Sequence, residues 1–265
     1  MKIIVCVKQV PDTTEIKIDP VTNTLIRAGV PSIVNPYDAY ALETALRLKE
    51  RYGAEVLVIS MGPEQAKEAL KECLAVGADR AWLISDRAFG GSDTLATSFV
   101  LSRAVAWLSK ELGDVGLILC GKQAIDGDTA QVGSEMAEHL DLPQITYASD
   151  AELSEDGVLV KRENDDGYDM IKTKLPAVVT VTKISGETRL PSIKGKMRAS
   201  RAEIPVLTAQ TLEIDVEKCG LKGSPTKVKK TFTPVRTKTG IKVEGKTAAE
   251  AAAGMAGFLD EKKLV

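Results

Sequence analysis

The run Gly121-Lys122-Gln123-Ala124-Ile125-Asp126-Gly127-Asp128-Thr129-Ala130-Gln131-Val132-Gly133 lies directly between an apolar, strand-like run, Leu117–Cys120, and a segment of helical period. A glycine-bearing turn that enters a helix leaves backbone N–H groups unpaired at the positive end of the helix dipole, which suits a phosphate or pyrophosphate. Thr129 and Gln131 can add side-chain donors, and Gly127 and Gly133 permit close backbone approach. Asp126 and Asp128 do not belong in a simple phosphate cage, because carboxylates repel anions. They are suited instead to orienting the loop, capping the helix or accepting hydrogen bonds from ribose hydroxyls. An ordinary strand-to-helix turn with an Asp cap has the same composition, so the loop alone does not decide. The loop also lacks the Gly-Lys-Ser/Thr of a P-loop, which disfavours ATP hydrolysis.

Three more polar loops have the same placement. Asn35-Pro36-Tyr37-Asp38 precedes a helix, with Pro36 at the first helical position and Asn35 at the cap. Asn35 and Asp38 are equally able to hold a ribose or a base. Ser60-Met61-Gly62-Pro63 follows a strand, where its backbone could meet a planar base or form a plain turn. Gly90-Gly91-Ser92-Asp93-Thr94 precedes a third helix, and Lys8 and Lys122 flank the same sheet edge. Each loop is weak evidence singly; four converging on one edge favour a nucleotide site.

Other chemistries are hard to build. His139 is the only histidine, so a histidine triad or a multi-histidine metal site is disfavoured. Cys6, Cys73, Cys120 and Cys219 show no CxxC spacing, and Cys6 and Cys120 sit in apolar runs where thiols act as small hydrophobes. A net charge of −2 and a pI near 5.7 argue against nucleic acid or an anionic membrane surface as partners. No apolar run reaches the roughly 18 to 20 residues of a membrane span, and the start, MKIIVCVKQV, reads as a buried strand rather than a leader. A cytoplasmic protein is expected.

The elements that must position these loops follow from periodicity. Strand-length apolar runs at Ile3–Val7, Val56–Ser60, Ala81–Ile84 and Leu117–Cys120 alternate with helical segments. The first helix carries Ala41, Ala45, Leu48 and Tyr52 and stops at Gly53. Pro63 is expected to open the second, Ser92 to cap the third and Asp128 to begin the fourth. Residues 145–182, with turn signals at Asp156-Gly157 and Asp166-Gly167, predict a hairpin-like extension. Beyond Ser185 the chain turns basic and turn-rich, without a strand or strong helix pattern, and Thr247–Leu264 is Ala-rich with little core-forming amphipathy. The predicted fold is α/β, a doubly wound, mostly parallel, Rossmann-like sheet with a β-hairpin extension and a C-terminal arm. It divides into a nucleotide-binding domain over 1–184, a docking segment over 185–235 and an arm over 236–265.

Together these motifs resemble the electron transfer flavoprotein beta subunits. The resemblance runs from Val5-Cys6-Val7-Lys8-Gln9-Val10-Pro11-Asp12 through Asn35–Asp38, Ser60–Pro63 and the Gly121–Gly133 loop into Leu190-Pro191-Ser192-Ile193-Lys194-Gly195-Lys196-Met197-Arg198-Ala199, over residues 1 to about 235. It implies that Cys6, Asn35 and Met61 line an adenine and ribose pocket, with phosphate held by the backbone of 123–134 and by Thr129. The full set of cofactor-binding candidates is Cys6, Val7, Lys8, Asn35, Tyr37, Asp38, Ser60, Met61, Gly62, Asp93, Thr94, Thr97, Cys120, Gly121, Lys122, Gln123, Ala124, Asp126, Gly127, Asp128, Thr129, Ala130, Gln131, Val132 and Gly133. No catalytic side chain and no metal ligand is implied. Gly90–Thr97 is similar to the flavin-side loop of the electron-bifurcating members, which implies FAD in this chain, with AMP as the alternative, and NADH as electron donor. The implied partners are an alpha subunit, an acyl-CoA dehydrogenase, and ferredoxin or flavodoxin. Leu190, Pro191, Ile193, Lys194, Lys196 and Arg198 are the implied docking residues. The competing reading from a different class is a stand-alone adenine-nucleotide-binding protein.

Overall fold

The structure, a computed structural model, describes residues 1–12, 31–229 and 240–265. In chain order the elements are β1 (Lys2–Cys6), β2 (Gln9–Pro11), β3 (Ser32–Val34), α1 (Pro36–Tyr52), β4 (Glu55–Met61), α2 (Lys67–Val76), β5 (Arg80–Ile84), α3 (Thr94–Leu112), β6 (Val115–Gly121) and α4 (Val132–Leu140). They continue with β7 (Gln144–Ser154), β8 (Gly157–Asn164), β9 (Gly167–Thr173), β10 (Ala177–Val181), α5 (Ile193–Arg201), β11 (Val206–Leu207), α6 (Gly220–Gly223) and α7 (Ala248–Glu261). One sheet of nine strands runs in the order β11-β5-β4-β1-β6-β10-β7-β8-β9. It is parallel from β11 to β7, and β7, β8 and β9 pair antiparallel.

The central strands are apolar at successive positions because helices cover both sheet faces. Ile3, Val5, Val56, Val58, Leu117 and Leu119 pack with α1 and α2; Ile4, Cys6, Leu57, Ile59, Ile118 and Cys120 pack with α3 and α4. The two-residue alternation of a strand divides the core this way. From β1 the chain crosses through α1 to β4 on one side, and α3 later carries it back from β5 to β6 on the other. The strand order therefore reverses between β1 and β6, and the loops leaving their carboxyl ends flank a crevice.

The doubly wound α/β prediction holds, with differences at element boundaries. Pro63 precedes a single 3₁₀ turn, Glu64–Ala66, and α2 starts only at Lys67. Asp93, not Ser92, caps α3, its carboxylate accepting from the Ala96 N–H. The expected start of α4 at Asp128 is four residues early, because Asp128 and Ala130 are left-handed, with φ of 56° and 54°, and no helix propagates through them. The extension is a three-stranded meander, β7–β9, and Ala177–Val181 leaves it to enter the sheet between β6 and β7. The segment expected to lack helix holds α5. Its cap is Ser192, which accepts from the Gly195 N–H at 3.0 Å, and the helix lies on α2 with Ala199 buried. Gly195 permits this close approach: an added Cβ would collide with the Ala75 carbonyl. In α7 no residue is buried, as its weak amphipathy suggested.

Candidate functional site

The crevice is assembled from backbone ends stitched together by a few buried side chains. Asp38, in the first turn of α1 and 7% exposed, accepts from the Lys8 N–H at 2.7 Å and the Gly121 N–H at 3.1 Å, so one carboxylate ties the ends of β1 and β6 together. Burial pushes this carboxyl up to about 7, against the opposing pull of the Lys8 and Gly121 amides, Asn35 and the Lys8 ammonium. The approach is so close that a Cβ on Gly121 would overlap Asp38 and lie 2.7 Å from the Tyr37 carbonyl carbon. Asn35 is fully buried: its Nδ2 donates to the Gln123 carbonyl at 2.8 Å and its Oδ1 accepts from the Ile125 N–H at 3.1 Å. Lys8 completes the stitching, with Nζ 2.6 Å and 2.9 Å from the two carboxylate oxygens of Asp126.

Held this way, the loop after β6 turns twice. The Gly127 and Asp128 amides both donate to the Ala124 carbonyl, and the Gln123 side chain donates to Asp128. From Thr129 to Ser134 the backbone N–H groups have no acceptor among the described residues, and Gln131 at the cap offers no side-chain bond to the helix. Two left-handed non-glycine residues, each costing of order 1 kcal/mol, bend this stretch. The result is a row of free donors at the amino end of α4, an electrostatic fit for a phosphate. Thr129 is exposed beside them.

Lys8, tied to that loop through Asp126, lines a cavity of about 400 Å³ at the carboxyl ends of β1, β4 and β5. Lys8, Met61, Gly62 and Thr97 line it, together with the loop after β5 from Ser85 to Ser92 and Gln65 and Ala66 opposite. The volume is that of a small-ligand pocket. The Thr94 hydroxyl lies 3.1 Å from Gln131 Oε1 and 3.1 Å from Glu135 Oε1, linking the amino ends of α3 and α4. Cys6 and Cys120 pair in register on β1 and β6 and are nearly buried. Their mutual hydrogen bond, then burial, raises the Cys6 thiol well above its ordinary value, which leaves it a poor nucleophile. No group of three or more metal-ligating side chains comes together among the described residues.

Residues 22–212 match the electron transfer flavoprotein domain. The chain is 53% identical over 244 residues to the electron transfer flavoprotein subunit beta of Megasphaera elsdenii, covering 91% of this chain and 90% of that one. It is 47% identical over 266 residues to the caffeyl-CoA reductase-Etf complex subunit CarD of Acetobacterium woodii, end to end in both, and 44% identical over 266 residues to the protein FixA of Bradyrhizobium diazoefficiens, covering 98% of this chain and 92% of that one. The chain belongs to the electron transfer flavoprotein family, with the beta subunits.

In this family member the residues singled out in the sequence fall into two groups. Lys8, Met61, Gly62 and Thr97 face the cavity, whereas no residue of the 121–133 loop lines it; the loop is tied to the cavity-lining Lys8 through Asp126. Asn35, Asp38 and Asp93 are instead engaged within the chain: Asn35 and Asp38 by the loops, Asp93 by the α3 cap and by Thr226. Tyr37 is half-buried beside Gly121, Ser60 is buried, and Val7 and Val132 pack into the core. Gly133 is buried too; a Cβ there would meet the Thr180 methyl at 2.5 Å, so its smallness serves helix packing against β10. Lys122 donates its N–H to the Val181 carbonyl and lies 5.1 Å from the Tyr147 ring. Tyr147 itself holds φ of 58° at a bulge in β7, a rare conformation for an aromatic residue. Sequence reading missed Tyr147, and it missed the cavity wall from Ser85 to Phe89. The wall was findable, because it directly follows the Ala81–Ile84 strand.

Arg198, implied as a docking cation, is spent inside the chain, where its guanidinium donates to the Leu74 and Ala78 carbonyls at 2.6 Å and 3.0 Å. Leu190 and Ile193 are 87% and 82% exposed. Just before them, Arg189 grips Glu43 and Glu50 on α1, with 2.8 Å between Arg189 Nε and Glu43 Oε2. Burial opposes ionisation of Glu43, but bonds from Arg189 and Arg47 prevail and hold its carboxyl below the usual range. Among the described residues no helix is long and apolar enough to cross a membrane.

Proposed function

We propose that this chain is the beta subunit of a heterodimeric, electron-bifurcating flavoprotein that holds FAD in the crevice between β1 and β6. Electrons from NADH pass through the heterodimer to ferredoxin or flavodoxin and to an acyl-CoA dehydrogenase. The observation that carries the reading is the row of amides from Thr129 to Ser134 that have no acceptor among the described residues, on a loop held through Asp126 to Lys8, which lines a 400 Å³ cavity. A bound flavin supplies the redox chemistry, and the protein orients it and tunes its surroundings. On this reading the α4 amides and Thr129 hold phosphate, while Met61 and Gly62 face the base.

The relative named as a subunit of a caffeyl-CoA reductase-Etf complex supports a CoA-ester-reducing partner. Docking is assigned to Leu190 and Ile193, exposed apolar anchors on a segment braced against α1 and α2, with Lys194 and Lys196 accelerating encounter. The exposed helix α7 is assigned to the alpha subunit.

Thr129→Glu tests the location of the nucleotide. A carboxylate at the amino end of α4 should repel the phosphate and empty the site, with far-UV circular dichroism unchanged. Full nucleotide occupancy in the purified αβ complex of this variant would place the phosphate elsewhere.

A further inference from the structure

The wall of the cavity formed by Asp86 to Ser92 does not stand by itself. Between Leu207 and Thr226 the chain returns and lies along its outer side. Asp86 accepts from the Ala209 N–H at 3.1 Å, and the Gly220 N–H donates to Ser92 Oγ at 3.0 Å. Ser224 Oγ accepts from the Asp93 N–H at 2.8 Å and donates to the Gly220 carbonyl at 2.6 Å. Asp93 Oδ2 then accepts from both the N–H and the hydroxyl of Thr226, at 3.0 Å and 2.7 Å.

Apolar packing supports these bonds. Leu212, Ile214 and Cys219 are buried in the same cluster as Phe89, and a Cβ on Gly91 would lie 2.7 Å from Leu221 Cγ. None of the residues from Leu207 to Thr226 lines the cavity.

We propose that residues 207–226 are a strap that fixes the cavity wall in its ligand-accepting shape, with Asp93, Ser224 and Thr226 as positioning residues for the nucleotide. The Gly90-Gly91 pair, with Gly91 at φ of 75°, gives the wall little intrinsic stiffness. Loops of this kind open locally unless tied down. A wall that ordered only on binding would subtract its ordering entropy from the affinity, and the strap removes that cost beforehand. Asp93 makes the lock cooperative, because one carboxylate caps α3 through the Ala96 N–H and anchors Thr226. Release of the strap therefore loosens the α3 cap as well as the wall.

The inference rests on the crevice being the nucleotide site, and its test keeps the two apart. In the nucleotide-stripped αβ complex, AMP serves as probe because it is the part common to FAD and AMP. The double variant Ser224→Ala/Thr226→Pro removes the Ser224 hydroxyl and both Thr226 donors. Hydrogen exchange at residues 86–93 should accelerate at least tenfold and the Kd for AMP should rise at least tenfold, while Thr226→Ser, which keeps both donors, stays within twofold of wild type. Should the double variant fail to assemble, Thr226→Val deletes only the 2.7 Å hydroxyl bond and should raise the Kd about fivefold, the worth of one such bond. Where Thr129→Glu weakens AMP binding, an AMP affinity within twofold of wild type in the assembled double variant overturns the strap, and unaccelerated exchange at 86–93 overturns it in every case. If wild-type complex binds AMP and Thr129→Glu binds it equally well, the nucleotide has been misplaced; accelerated exchange at 86–93 then still measures the strap's hold on the wall.

Discussion

Asp38 is the most informative residue to perturb, because one buried carboxylate holds both rims of the crevice and titrates in an accessible range. Its value is raised from 3.8 to about 7 by burial. The sign follows from linkage. The folded state keeps the proton that the unfolded state gives up, so Asp38 contributes most to stability below pH 3.8, and that contribution is lost as pH rises to and through about 7. At about 1.4 kcal/mol per pH unit, the loss between pH 5 and pH 8 amounts to roughly 2.5 to 3 kcal/mol. Asp38→Asn abolishes this titration. It also turns an amide NH₂ toward one of the Lys8 and Gly121 donors, a pH-independent cost of about 1–3 kcal/mol. Urea unfolding of both proteins at pH 5, 6, 7 and 8 should therefore show wild type losing its advantage over the variant steadily across the series. Parallel pH dependences would refute the reasoning, since Asp38 would then ionise in the fold as it does in water.

Gly121→Ala forces a Cβ into the first turn of α1, an overpacking of about 1–3 kcal/mol, and should strip nucleotide from the complex during gel filtration. Leu190→Ala should slow electron transfer to the dehydrogenase at least about tenfold, roughly 1.4 kcal/mol, with nucleotide content unchanged; unaltered kinetics at limiting dehydrogenase would remove this residue from the interface. Arg198→Ala should lower the thermal midpoint by a few degrees for the loss of its two carbonyl bonds and leave the salt dependence of transfer unchanged. Lys194→Ala with Lys196→Ala should do the opposite, flattening the salt dependence while leaving the midpoint in place.

What was legible in the sequence was whatever a local pattern encodes. Continuous apolar runs marked β1, β4, β5 and β6 nearly to the residue, and the loops at their carboxyl ends form the crevice. The misses are tertiary. The continuous apolar run of Ala177–Val181 marks it as buried, unlike the polar β9 before it, but which strands it lies between, β6 and β7, is set by the tertiary fold. The helix in 193–201 depends on Gly195 and Ala199 settling against α2, which its basic composition conceals. Asn35 has the type and place of a helix cap, but its side chain reaches Gln123 and Ile125, far along the chain. Asp93 was read for a ligand and holds Thr226, a contact between residues that no short window connects. Side chains facing open space were easier to assign than those recruited to hold other loops, since both roles draw on the same polar residue types.

The most direct test of the central claim is the nucleotide content of the purified αβ complex. Acid extraction followed by chromatography should release two FAD per heterodimer, one of them lost when Thr129 is replaced by Glu. One FAD and one AMP would contradict the bifurcating assignment and make this chain an AMP-holding scaffold and docking subunit.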